Sequence, residues 1–156
     1  MDDDGVTRLR RVIARLARQL NSSATGEGLT PSQASVLALV VARGPVSLGE
    51  LAALEGLNPT MLSRVVGKLQ SMELIRRIPD PADLRSASVE STASGQRMDQ
   101  RVKAQRAAVV SRCLELLDKE QQTAIAAALP ALEALAGELQ RSTRETAAGS
   151  GAGRDG

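Results

Sequence analysis

The sequence predicts a mainly α-helical chain carrying one small two-strand β-hairpin, with helices at both ends. Three observations lead there. Apolar residues recur at helical spacing along most of the chain, and capping signals open helices at three places in its first half. The one clear pair of β-prone segments, residues 74–78 and 87–90, brackets a run rich in turn residues. With 156 residues and 42% hydrophobic content, the chain can bury one core without disulfide or metal staples. It contains no Phe, Tyr or Trp, so Leu, Val, Ile, Ala and Met do the packing, and a site that stacks bases or flat ligands on aromatics is disfavoured.

In order along the chain, Val6, Leu9, Val12, Ile13, Leu16, Ala17 and Leu20 form a helical stripe, with Arg8, Arg10, Arg11, Arg15 and Arg18 opposite. This first helix is expected to pack on a partner element. A break follows at residues 21–28. Thr30-Pro31 then combines an N-cap with proline at the first helical position, opening a helix to about Ala42 that Gly44-Pro45 ends. Ser47 followed three residues later by Glu50 has the capping-box pattern, which starts a short helix to about Leu54. Gly56 supplies a turn, and Asn58-Pro59 repeats the cap-plus-proline signal. In the helix that follows, Leu62, Val65, Val66 and Leu69 face inward while Thr60, Met61, Ser63, Arg64 and Lys68 face outward.

The hairpin comes next, and then a long helix over residues 93–117 with Met98, Val102, Val109, Cys113, Leu116 and Leu117 along one side. Ile125, Leu129, Leu132, Leu135 and Leu139 mark a last helix, which Pro130 is expected to kink or shorten. After Glu145 the sequence TAAGSGAGRDG has little to bury and is expected to be disordered.

Charge and composition exclude several function classes. The net charge is only +2, but basic residues are concentrated locally, compatible with a phosphate-facing surface. The single cysteine rules out an intramolecular disulfide. On the apolar side of its helix, Cys113 is expected to be a buried, inert hydrophobe. No signal-peptide h-region and no run of about 18 apolar residues occurs, so a cytoplasmic protein without membrane contact is expected. With no histidine, no glycine-rich phosphate loop and no metal-ligand spacing, neither catalysis nor a cofactor is expected.

A capped helix, a glycine turn, a second capped helix and a basic hairpin make the layout of a winged helix-turn-helix, whose second helix can enter the major groove of DNA. Arg64 is the candidate for a bidentate contact to guanine. Thr60 and Ser63 suit a base edge or a phosphate, and Lys68 suits a phosphate. Arg85, near the hairpin tip, suits a narrow minor groove. Asp83 either aims Arg64 or Arg85 or caps the turn. The alternative is a helical dimer that acts as a protein-interaction scaffold.

The segments Leu29-Thr30-Pro31-Ser32-Gln33, residues 47–52, residues 58–69 and, most specifically, Arg76-Arg77-Ile78-Pro79-Asp80-Pro81-Ala82-Asp83-Leu84-Arg85-Ser86 with Thr92-Ala93-Ser94-Gly95 resemble the MarR family of bacterial transcriptional regulators. The resemblance implies a homodimer held by the first and the last two helices, with wings straddling a pseudo-palindromic operator in double-stranded DNA. It implies repression relieved by a small-molecule effector or an oxidant. On that reading Met61, Ser63 and Arg64 match recognition-helix positions, Arg85 matches the minor-groove arginine, and Asp83 matches the aspartate that supports DNA-contacting arginines. The chain divides accordingly into a dimerisation helix (1–28), a DNA-binding lobe (29–95), C-terminal dimerisation helices (96–145) and a tail (146–156). Leu84, Glu73 and Ser91 depart from the family's usual arginine, glycine and leucine.

Overall fold

The computed structural model describes residues 1–23, 27–79 and 87–151, with side chains for all of these except 22, 23 and 143–151. Six helices and three strands follow in the order α1 (Asp3–Ser23), α2 (Pro31–Arg43), β1 (Val46–Ser47), α3 (Leu48–Glu55), α4 (Pro59–Ser71), β2 (Ile75–Pro79), β3 (Ala87–Ser91), α5 (Ala93–Glu115) and α6 (Lys119–Gly151). The chain forms two compact units, Met1–Val110 and Ser111–Gly156, and α5 crosses the boundary.

The caps explain where the helices start. Thr30 closes a full capping box with Gln33, its hydroxyl accepting from the Gln33 amide while the Gln33 side chain accepts from the Thr30 amide. At α3 only half of the expected box forms. The Ser47 hydroxyl accepts from the Glu50 amide at 3.2 Å, but the Glu50 carboxylate turns to the Arg43 guanidinium at 3.0 Å, a stronger charged donor than a backbone amide. Asn58 caps α4 by accepting from the Met61 amide at 2.9 Å, with Pro59 at the first helical position.

The core of the first unit is aliphatic throughout. Leu29, Val36, Leu37, Val40, Val46, Leu51, Leu62, Val66, Leu69, Leu74, Ile75, Val89 and Val102 are all buried. They come from α2, α3, α4, the sheet and the first half of α5. Each such side chain contributes about 1.5–3 kcal/mol when taken out of water. The expected wing strands pair antiparallel, with Arg76 opposite Glu90 and Pro79 opposite Ala87. A third strand, β1, joins on the other edge of β3, placing Val46 opposite Val89. It is only two residues long, too short to show the alternation that marks a strand in sequence. Arg101 pairs with Glu27 at 3.2 Å, and Arg106 donates to the Asn21 side chain, which fastens the end of α1 and the following turn to α5.

The junction between α4, β2 and α5 is the tightest part of this unit. After α4, Leu74 N–H donates to the Leu69 carbonyl and Glu73 N–H to the Gln70 carbonyl, the two bonds of a Schellman turn. Such a turn needs a left-handed residue, and here that residue is Glu73, at φ 58°. The Thr92 hydroxyl donates to the Glu73 carbonyl at 2.7 Å, and the Thr92 amide donates to the Leu74 carbonyl at 3.0 Å. The same hydroxyl accepts from the Gly95 amide at 3.0 Å. α5 thereby starts so close to β2 that a Cβ on Gly95 would lie 2.0 Å from the Leu74 carbonyl oxygen.

In the second unit, Asp118 caps α6 through a reciprocal pair with Gln121, and Gln122 donates to the Leu114 and Leu117 carbonyls at the end of α5. α6 is not shortened by Pro130 but runs through it, and it continues past Glu145 to Gly151, where the first part of a disordered tail was expected; residues 152–156 lie outside the described residues. An interior proline costs a helix about 3 kcal/mol, but Ala126, Ala127, Ala128, Ala131, Ala134 and Ala136 surround it with the strongest helix former. Ala147 and Ala148 act likewise beyond Glu145. Cys113 is also exposed, not buried as its stripe suggested; Leu116 of that stripe is exposed with it, whereas Val109 and Leu117 are half-buried.

Two substitutions at the junction should move stability in opposite directions. Gly95→Ala forces a methyl group onto a backbone oxygen and should destabilise by about 2–3 kcal/mol or more. Glu73→Gly relieves the left-handed strain and should stabilise by about 0.5–1 kcal/mol. Urea denaturation followed by circular dichroism measures both. Equal midpoints for all three proteins would show that the junction is less tight than described.

Candidate nucleic-acid interface

The site is built by three helices and the hairpin base. α3 ends at Gly56, which sits in the left-handed region at φ 62° and donates to the Ala52 carbonyl, so the chain reverses over Gly56-Leu57-Asn58 and α4 starts at once. Leu51 on α3 and Leu62, Val66 and Leu69 on α4 are buried against α2 and the sheet. These contacts fix the rotation of α4 about its own axis. The opposite face then points outward by helical geometry alone.

That outward face carries Thr60, Met61, Ser63, Arg64, Gly67, Lys68 and Ser71, all exposed. The five recognition residues expected from the sequence, Thr60, Met61, Ser63, Arg64 and Lys68, thus share one surface. α4 contains no acidic residue, and neither Arg64 nor Lys68 joins an ion pair among the described residues. Two cations and several hydroxyls on a rigid helix with no neutralising carboxylate form a surface suited to a polyanion. Between the first turns of α3 and α4 lies an apolar cleft of about 170 Å³, lined by Leu48, Gly49, Ala52, Pro59, Leu62 and Ser63.

Polar bonds brace this helix pair. The Ser35 hydroxyl donates to Glu55 at 2.9 Å and Arg43 pairs with Glu50, so α2 grips α3 at both ends. Arg77 donates to the Gln70 side chain at 3.1 Å, tying β2 to the last turn of α4. Arg76 on the other side of the strand pairs with Glu90 of β3 at 2.5 Å. Sequence reasoning assigned no role to Arg76, Arg77 or Gln70. The signal was present in strand alternation, which sends two adjacent arginines to opposite faces, but the partners Gln70 and Glu90 follow only from the fold.

Asp83 and Arg85, expected at the wing tip, lie outside the described residues, as does the rest of 80–86 with Leu84. The strands that lead into that segment are described, and Pro79 and Ala87 pair at its base. Asp99, another carboxylate the sequence did not single out, is buried on α5 and accepts from Lys103 at 2.6 Å. Among the described residues no cluster of acids and cysteine is placed to hold a metal ion, and no helix is long and apolar enough to cross a membrane.

Residues 29–87, from the start of α2 to the first residue of β3, match the model of the MarR family. An HTH-type transcriptional regulator of Mycobacterium tuberculosis is 27% identical over 130 residues, covering 83% of this chain and 91% of the relative. The HTH-type transcriptional repressor MdtR of Bacillus subtilis is 27% identical over 113 residues, covering 72% and 73%. A mutant of Staphylococcus aureus MepR solved bound to an oligodeoxyribonucleotide superposes with a TM-score of 0.61 over 83% of this chain and 95% of that one. At 16% identity, that likeness is one of fold.

The Asn58 cap is the cheapest point at which to loosen this surface. Asn58→Ala should cost about 1 kcal/mol of stability and Asn58→Asp close to none, since either oxygen satisfies the Met61 amide. Thermal unfolding of the two variants beside the parent checks this, and an Ala variant as stable as the parent would mean the cap bond is not formed in solution.

Proposed function

Because the chain belongs to the MarR family and is a DNA-binding transcriptional regulator, we propose that it acts as a homodimer that sets α4 of each protomer into the major groove of a pseudo-palindromic operator. The observation that carries this is the acid-free outward face of α4, with Arg64 and Lys68 in no ion pair among the described residues. Arg64 reads a guanine through its two-pronged guanidinium, a contact that discriminates by about 1–3 kcal/mol. Thr60 and Ser63 bond base edges or phosphates, Met61 offers an apolar surface to a thymine methyl, and Lys68 holds a phosphate. Arg85 enters the adjacent minor groove, with Asp83 aiming it or Arg64.

The dimer is supported by apolar residues that are exposed among the described residues. On α1 these are Val6, Val12, Ile13 and Leu16, and on α6 Ile125, Leu129 and Leu132. Stripes of this kind on terminal helices suit an isologous interface. Repression with relief by a small-molecule effector fits such an assembly. Two lobes grip half-sites about one helical turn (~10 bp) apart or a multiple of it, so a ligand that alters their spacing forfeits simultaneous engagement. The repressor MdtR and the DNA-bound MepR mutant support the same reading for their own relative and fold.

Selection from a pool of random duplexes at moderate salt, with the solution mass measured in parallel, tests the proposal. The expected outcome is an enriched inverted repeat bound by two chains. A folded dimer that enriches nothing would instead favour an interaction scaffold. On the enriched duplex, Arg64→Ala should relax preference at one position per half-site, and Arg85→Ala should reduce the slope of log affinity against log salt by about 1. An unchanged preference, or an unchanged slope, would remove the corresponding residue from the interface.

A further inference from the structure

Gly67 sits in the interior of α4, where glycine is among the residues least suited to a helix. The other described glycines of this unit have local reasons to be there. Gly28, Gly44 and Gly56 hold positive φ, Gly95 is pressed against the Leu74 carbonyl, Gly5 lies against Met1 and Asp2, and Gly49 is in the first turn of α3. Gly67 has none of these. Its backbone is helical, and an added Cβ would meet nothing within 4 Å. The chain itself gives no steric reason for the missing side chain.

Its position supplies one. With Leu62, Val66 and Leu69 pointing into the core, Gly67 falls near the middle of the opposite face, among Thr60, Ser63, Arg64 and Ser71. It therefore lies on the surface assigned above to DNA. At about 1.5 Å per residue, Gly67 is about 12 Å along the axis from Pro59, and the major groove is about 12 Å wide. A recognition helix touches base edges with its N-terminal residues. With the first turn of α4 over the bases, Gly67 is where the helix meets the wall of the groove.

We propose that Gly67 is a close-approach point for DNA: the sugar–phosphate backbone packs directly on its Cα, and the missing side chain lets α4 seat deeply enough for Arg64 to reach the bases. This rests on the reading of α4 as the helix that enters the groove. The contact is steric, so it sets affinity without reading sequence. Gly67 is in that sense a positioning residue for Arg64.

The test uses Gly67→Ala and Gly67→Gln in the full-length protein, with Arg64→Ala as the reference, on the duplex enriched by selection. Gly67→Ala should raise the denaturation midpoint of the free protein, because alanine suits a helix interior better. It should nevertheless lower affinity for the enriched duplex at least tenfold and relax preference at the position that Arg64 reads, and Gly67→Gln should lower it further. Opposite signs for stability and binding exclude misfolding as the cause. If Gly67→Ala is more stable and binds as tightly as the parent while Arg64→Ala relaxes base preference, the close approach is refuted and the reading of α4 stands. If neither variant alters binding, or if the parent binds no duplex, that reading falls and this inference with it.

Discussion

The seam between the Leu74 carbonyl and the start of α5 is the constraint on which the rest of the first unit depends. One carbonyl oxygen receives the Thr92 amide, and Gly95 lies against it with no room for a methyl group. Leu74 is also the residue that closes the turn after α4 and leads into β2. The end of α4, the start of β2 and the first turn of α5 are therefore fixed with respect to a single peptide group. A rigid register here matters because α4 and the hairpin, the two parts proposed to meet DNA, both start from this seam.

Charge is distributed in keeping with that division of labour. Arg43 and Arg76 are spent on Glu50 and Glu90, inside the scaffold that braces α3 and the sheet. Exposed ion pairs of this kind stabilise by at most about 1 kcal/mol each, so their value is more in orientation than in energy. Arg64 and Lys68 join no ion pair among the described residues, on a helix with no carboxylate. A net charge of only +2 for the whole chain conceals this contrast, because a molecule can be close to neutral and still present one strongly cationic face.

Most of the helix-turn-helix and hairpin was legible because its signals are local. Caps at Thr30, Ser47 and Asn58 depend on residues three apart, and each forms the expected hydroxyl or amide bond. The outward set on α4 followed from helical periodicity once Leu62, Val66 and Leu69 were recognised as core. What escaped was non-local or context-dependent. β1 exists only because β3 offers it an edge, and the Glu50 carboxylate leaves its own cap for an arginine on another helix. Periodicity told that one side of α1, α6 and the end of α5 is apolar, but not whether the protomer itself covers it. Cys113 shows the difference, since its stripe is apolar while the residue is exposed.

The aliphatic core bears on how this sequence can vary. Aromatic rings and buried hydroxyls impose geometry on their neighbours, whereas Leu, Val and Ile ask mainly for volume. Exchanges among them that conserve volume cost less than about 1.5 kcal/mol when neighbours repack. Relatives of this chain should thus drift freely at positions such as Val36, Leu51 and Val66 while holding Thr92 and Gly95, whose replacements have no repacking remedy. Exchange within this interior is then limited to aliphatic side chains of similar volume, whereas Thr92 and Gly95 have no substitute that keeps the seam closed.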